Sequence, residues 1–437
     1  MIKPTPFLLV FRLEDANPSF VGTIDCFVLS FSYDEGYRSR EKSYGLSFSL
    51  PLSSRPYAEE QFKPYFEGLL PEAGARKALA ANAGLREDDY LGLLRLCGKD
   101  CIGDVIVLGA DSSDERAVAE ALSTLDPDRG YGSITATEME EIFSSAPSIA
   151  NENVESSLSL AGTQNKTGLA HMPEAPLDEG WMRPRGLSAS THILKYGSLE
   201  GLLELEYLCM AAAHECGIRS AQTDIIDLPH PVICSERFDR IAEIRNQQLR
   251  VRRLHQEDFS QTFGLTSSTK YTELPGGTVK RIAAHLRDYS AQPLKDIRQL
   301  AMVLCYCYLI GNCDNHLKNL SVLYAENGRT LRLAPAYDLV STTYYARFSR
   351  NMGMDLGGTR AIDDITPNHL TALASDLGIR PAALRNICDD IAGKVVPALR
   401  NEAAKIKKRF PLAPYVVDDL EEDMAPRLEV VNAFVQG

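Results

Sequence analysis

No stretch of this 437-residue chain reaches the roughly 18 uncharged apolar residues that a membrane-crossing helix needs. The longest apolar run, Leu300 to Ile310, is eleven residues and reads as a buried helix. A signal peptide is also missing. Phe7 to Phe11 is apolar, but Pro4 and Pro6 precede it, Glu14 and Asp15 follow, and no basic region or small-residue cleavage site flanks it. A cytoplasmic protein is expected. Paired cysteines are lacking: the ten present lie singly, with no C-x-x-C and no even framework, which argues against a disulfide scaffold or a zinc site. Cys26, Cys209, Cys305 and Cys307 sit among apolar neighbours, where a reduced thiol behaves as a small hydrophobe. Positive charge is short. With 46 Lys and Arg against 59 Asp and Glu the net charge is −13, so phosphate backbones repel the chain and it should not bind nucleic acid strongly by itself. The most basic stretch, Arg245 to Arg253, carries four arginines and no acid, and reads as the solvated face of a strand. Internal repeats and low-complexity segments are absent.

What remains is ordinary globular material, 44% hydrophobic and 24% charged, in a length that predicts two or three domains. A first unit over residues 1–150 opens with β-like runs at Phe7–Leu13, Thr23–Ser32 and Tyr44–Ser49. It turns helical from Glu59 to about Leu96, with Pro71 and Gly84 as punctuation, and returns to a strand at Cys101–Leu108. Residues 111–150 read as a connection with one helix starting near Thr137. A strand-rich unit over 151–238 carries strands at Ser190–Lys195, 223–228 and 231–239, and one amphipathic helix, Leu202–Cys216, closed by Gly217. A mostly helical unit over 239–437 has helices near 278–289, 294–310, 367–378 and 380–408. Leu320–Tyr324 and Leu331–Ala334 flank Asn327-Gly328, a hairpin signal.

The chemistry concentrates after the apolar helix, where Asp314, four residues, Asn319, a hairpin and Asp338 follow in order. Protein-kinase-like catalytic loops use this order: one carboxylate orients the acceptor hydroxyl or takes its proton, while an amide oxygen and a second carboxylate hold magnesium against the phosphates. Asp314 is thus the expected catalytic group, and Asn319 and Asp338 the expected Mg²⁺ ligands. Lys195, ending an apolar strand upstream, supplies a cation for ATP phosphates. Glu204 or Glu206 on the following helix can pair with it, Glu206 being the better placed. Ala161, Gly162, Thr163, Gln164, Asn165 and Lys166 form a small-residue loop whose N–H groups can approach phosphate, although it matches neither Walker A nor G-x-G-x-x-G. Backbone groups around Glu236, Arg237 and Phe238 lie where a hinge could meet adenine. His192 and His255 read as structural, and His316 as a nucleotide contact or loop brace.

Together these segments resemble the HipA family of bacterial toxin kinases over nearly the full chain. The matching motifs are Phe66-Glu-Gly-Leu-Leu-Pro-Glu72, Ser159-Leu-Ala-Gly-Thr-Gln-Asn-Lys166, Thr191-His-Ile-Leu-Lys195 and Glu236-Arg-Phe-Asp239. They continue with Gln256-Glu-Asp-Phe259, Gly311-Asn-Cys-Asp-Asn-His316, Lys318-Asn319 and Tyr337-Asp338. The resemblance implies an α+β fold, with a small amino-terminal α/β domain attached to a two-lobed, protein-kinase-like body. It implies a serine/threonine protein kinase that uses ATP and Mg²⁺, acts on a protein substrate such as an aminoacyl-tRNA synthetase, and autophosphorylates at Ser159 to switch itself off. By position it adds Lys318 and Tyr337 to the nucleotide contacts. The partner implied is a HipB-like helix-turn-helix antitoxin, which would supply the charge for DNA. Ala73 stands where the family often has glycine, a departure that bears on partner contacts in the amino-terminal domain and not on catalysis. A small-molecule kinase on the same scaffold, or a non-catalytic nucleotide-binding corepressor, is the alternative.

Overall fold

The computed structural model describes residues 5–14, 17–124, 130–144, 165–197, 201–226, 232–325 and 328–437. The architecture is α+β, with an amino-terminal α/β domain and a bilobal body of the protein-kinase kind. Among the described residues no helix is long and apolar enough to cross a membrane.

In the amino-terminal domain five antiparallel strands run in the order Tyr57–Ala58, Ser30–Tyr33, Asn17–Asp25, Phe7–Glu14 and Val105–Ala110. Helices Glu59–Gly68, Ala73–Ala83 and Tyr90–Cys97 accompany the sheet, and Phe62, Tyr65, Phe66, Leu93 and Leu94 share a buried core with Val10, Ile24 and Phe31. Two expected strands come out differently. Thr23–Ser32 is broken at Cys26–Leu29, because Asp25 Oδ1 accepts from the N–H groups of Phe27 and Val28, each at 2.9 Å, and turns the chain. Tyr44–Ser49 forms no strand. Its polar groups bond elsewhere: Leu46 N–H to Tyr33 Oη at 2.7 Å, and Phe48 N–H across the domain boundary to Glu257 Oε1 at 3.1 Å.

The strand-rich lobe is a six-stranded antiparallel sheet ordered Thr223–Ile226, Val232–Glu236, His192–Tyr196, Asn165–His171, Trp181–Pro184 and Tyr131–Ser133. This sheet starts earlier in the chain than the expected boundary at residue 150. Tyr131–Ser133 is its edge strand, and Met139 and Phe143 of the helix Ala136–Ser144 pack in its core. Another helix, Glu115–Thr124, lies in the segment read as a connection. Leu202–Glu215 forms as expected and is followed by Gly217 at φ 80°.

The helical lobe is built around Pro293–Ile310, whose residues Leu300 to Ile310 are all buried. Gly311 ends this helix at φ 74°. A Cβ there would sit 1.9 Å from Thr343 Oγ1, so both conformation and space demand glycine. Ser321–Tyr324 pairs with Leu331–Leu333 as the expected hairpin. The final helix, Ala413–Gln436, lies beyond the last expected one and contains Pro426; burial of Val417, Leu420, Met424 and Val431 holds it in place.

Charged side chains fasten the amino-terminal domain to the body. Arg237, Arg240 and Arg253 are buried against Asp100 and Asp239, with Arg237 Nη2 2.9 Å and Arg240 Nη1 2.6 Å from Asp239 Oδ2, and Arg253 Nη1 3.3 Å from Asp100 Oδ1. The basic stretch therefore divides. Arg245 and Arg250 are exposed on the hairpin Arg240–Arg245/Gln248–Arg253, whereas Arg253 is internal. Substituting Leu300, fully buried in the central helix, with alanine is expected to cost about 2–5 kcal/mol, read as a lower urea midpoint.

Candidate active site

Lys195 lies near the end of the strand His192–Tyr196, with its side chain 7% exposed. Its ammonium contacts Glu206 of the helix Leu202–Glu215 and also Asp338, so the structure selects Glu206 over Glu204. Lys166, at the start of the neighbouring strand, places Nζ 3.9 Å from the other Asp338 oxygen. Burial opposes ionisation of Asp338, but Lys166 and Lys195 outweigh it and hold the carboxyl well below the usual carboxylate range. Asp338 has φ 52°, a left-handed conformation uncommon for a residue with a Cβ. The backbone just before it is anchored to the strand-rich lobe: Ala221 N–H donates to Ala336 O and Ala336 N–H to Arg219 O, each at 2.8 Å.

The loop after the central helix holds Asp314 by its own side chains. Asn312 Oδ1 accepts from Asp314 N–H at 3.1 Å, and Asn312 Nδ2 donates to Asp338 O at 3.3 Å, tying the two acidic residues together. Thr342 Oγ1 accepts from Cys313 N–H at 2.9 Å and donates to Gly311 O at 3.1 Å. Burial pushes the Asp314 carboxyl up to about 6, with the charges of Asp338 and Glu72 adding to the effect; a hydrogen bond from the Tyr271 hydroxyl and the charge of Lys270 oppose it. Asn319 turns its Nδ2 to Asp314 O at 2.9 Å. Its Oδ1 is left without a protein partner among the described residues, free for a cation.

His316 packs edge-on to the Tyr271 ring, centroids 4.9 Å apart, with Nε2 3.9 Å from Asp314 Oδ1. Burial lowers its pKa to about 3, so the ring is neutral, and neither nitrogen has a hydrogen-bond partner among the described residues. Phe238 and Tyr337 lie with ring centroids 5.5 Å apart, and the Tyr337 hydroxyl donates to Lys318 O at 2.6 Å. The Phe238 N–H donates to no protein group among the described residues, whereas Glu236 N–H is taken by Gln222 O at 2.8 Å.

Two expected nucleotide contacts have their side chains committed elsewhere. Arg237 is locked into the Asp239–Asp100 cluster, and Lys318 pairs with Glu72 at 3.2 Å and Asp258 at 3.3 Å. Ser159 and Ala161, Gly162, Thr163 and Gln164 lie outside the described residues, and Asn165 opens the strand Asn165–His171.

Residues 158–399 match the HipA-like C-terminal domain, and residues 19–108 the HipA N-terminal domain. The chain belongs to the HipA family. It is 30% identical over 384 residues to the Y4mE protein of Sinorhizobium fredii, covering 85% of this chain and 87% of that one. The serine/threonine-protein kinase toxin HipA of Shewanella oneidensis is 27% identical over 87% of this chain and 85% of its own. The fold superposes on Shewanella oneidensis HipA, solved in complex with HipB and operator DNA, with a TM-score of 0.82 at 22% identity, covering 98% of this chain and 99% of that one.

Within this HipA-family site, sequence reasoning overlooked Tyr271, Asn312 and Thr342. Tyr271 lies 43 residues before Asp314 and carries no motif; only folding joins them. Because the folded state raises the Asp314 pKa, its stabilising contribution is complete below the ordinary carboxyl range and is lost as pH rises through about 6. Asp314→Asn is accordingly expected to be more stable than the parent by about 1–3 kcal/mol at pH 8, with the gap closing near pH 4 in paired thermal melts.

Proposed function

We propose that this HipA-family chain is an ATP- and Mg²⁺-dependent serine/threonine protein kinase acting as the toxin of a toxin–antitoxin pair. The observation that carries the reading is the meeting of Lys195, Glu206 and Asp338 beside a catalytic loop in which Asp314 and Asn319 are held by one another. Lys195 and Lys166 would hold ATP phosphates, together with the loop Ala161 to Gln164. Phe238, through its open N–H, and Tyr337 would receive the adenine. Asn319 Oδ1 and the Asp338 carboxylate fit Mg²⁺, which keeps few protein ligands and takes phosphate oxygens for the rest. When bound, the ion neutralises charge on the transferring phosphoryl group.

Asp314 orients the acceptor hydroxyl and takes its proton. A carboxyl raised to about 6 is ionised at neutral pH yet more basic than an ordinary one. The neutral His316 adds no positive charge that would bind this carboxylate in place of substrate. The same reading makes Ser159 the self-inactivating site, because a phosphoserine in the phosphate loop would repel ATP. A HipB-like antitoxin is the proposed partner, supported by the likeness to Shewanella oneidensis HipA, which is solved with HipB and operator DNA. An aminoacyl-tRNA synthetase is the proposed substrate, supported by the family resemblance.

Intact mass after incubation with ATP and magnesium tests the reading. The parent chain should gain one phosphate at Ser159, and Asp314→Ala none, a loss of about 10²-fold or more in rate. No gain in a parent chain shown to start unphosphorylated and to bind ATP would overturn it in favour of a corepressor or small-molecule kinase. The transfer rate should also fall tenfold per unit as pH drops below about 6, as Asp314 takes up its proton. A flat profile from pH 5 to 8 would remove Asp314 from the base role.

A further inference from the structure

The amino-terminal domain reaches the catalytic loop through one carboxylate. Glu72 immediately precedes the helix Ala73–Ala83, and its two oxygens face two lysines of the body: Oε2 is 2.8 Å from Lys270 Nζ and Oε1 is 3.2 Å from Lys318 Nζ. Lys318 adjoins Asn319 and is braced from the other side by Asp258, 3.3 Å away. Lys270 adjoins Tyr271, whose hydroxyl donates to Asp314. One side chain of the amino-terminal domain therefore grips the residue next to Asn319 and the residue next to the partner of Asp314.

This grip is electrostatically firm and mechanically backed. Burial opposes ionisation of Glu72, but Lys318 and Lys270 overcome it and hold the carboxyl at about 2. Nearby, Gln261 Nε2 donates to Tyr65 O at 2.8 Å. Gly68 leaves room for the same side chain, since a Cβ there would lie 2.7 Å from Gln261 Cγ. Ser49 Oγ donates to Gln261 O at 2.7 Å, a third link across the same boundary. A shift of the domain would stretch the ion pairs to both lysines.

We propose that Glu72 is a positioning residue for phosphoryl transfer, which sets Asn319 through Lys318 and the Tyr271–Asp314 pair through Lys270. The amino-terminal domain is then a working part of the catalytic centre as well as a surface for partners. The inference rests on the kinase reading above. It gives Glu72, the residue before the Ala73 departure, a role in catalysis beside any partner contacts of that region.

The test uses the full chain and three measurements: single-turnover autophosphorylation by intact mass, ATP affinity by calorimetry, and melting temperature. Glu72→Gln should lower the transfer rate about tenfold or more while ATP affinity stays within about twofold, since misplacement of reacting groups reduces rate before binding. Glu72→Asp, which keeps the charge, should recover part of the rate. Glu72→Gln leaves two cations short of a partner and can lose stability, so the double variant Glu72→Gln/Lys270→Gln is measured beside it. The double variant should regain melting temperature and not rate. A transfer rate within about twofold of the parent in Glu72→Gln, or a rate that returns with stability in the double variant, would reduce Glu72 to a structural ion pair. A parent chain that transfers no phosphate brings down the kinase reading itself, a failure visible before any variant is made.

Discussion

The Lys195 ammonium, buried between Glu206 and Asp338, is the interaction on which the arrangement of this molecule depends. It draws together a strand of one lobe, the helix behind it, and a turn of the other lobe 143 residues away. A charge this deep is costly unless its partners are in place, and removing one partner leaves the others uncompensated. That demand accounts for the left-handed backbone of Asp338, which is supported by Asn312 at its carbonyl. Asn312 in turn accepts from Asp314 N–H, so the placement of the loop carrying Asp314 follows from the same ion cluster.

Two carboxyl groups of this centre are driven in opposite directions by their surroundings. Both are buried. Asp338 has lysines on both oxygens and stays ionised, whereas Asp314 has one phenolic donor and feels other acids, so its proton is held up to about pH 6. On the proposed reading, divergent environments of this sort would separate a proton-accepting role from a cation-holding one.

The amino-terminal domain follows the same physics on a larger scale. Its attachment to the body includes the Arg237–Arg240–Arg253 cluster with Asp100 and Asp239, and Glu72 between two lysines, beside an apolar contact of Leu9, Phe11 and Ile106 with Leu187. The apolar clusters of the domain and of the helical lobe are separate. Ion pairs of fixed geometry impose register where apolar contact alone would tolerate sliding.

Order and spacing in the chain were enough to place most helices and the hairpin before Asp338, because those elements answer to local rules: Pro in the first helical turn, glycine at the end, and apolar periodicity. The pairing of Lys195 with Glu206 was legible for the same reason, as a strand followed by a helix leaves few candidates. Other features were hidden. The strand Tyr131–Ser133 is too short to announce itself, and the helix Ala413–Gln436 is held by packing that outweighs Pro426. Arg237 and Lys318 sit within family motifs but point into ion clusters with Asp100, Asp239, Glu72 and Asp258, contacts between residues up to 246 positions apart. Local propensity and periodicity thus dictated which elements form and which residue types carry the chemistry. Which charge meets which was decided only by tertiary structure, because the cost of burying an ion is settled by every neighbour that folding brings to it.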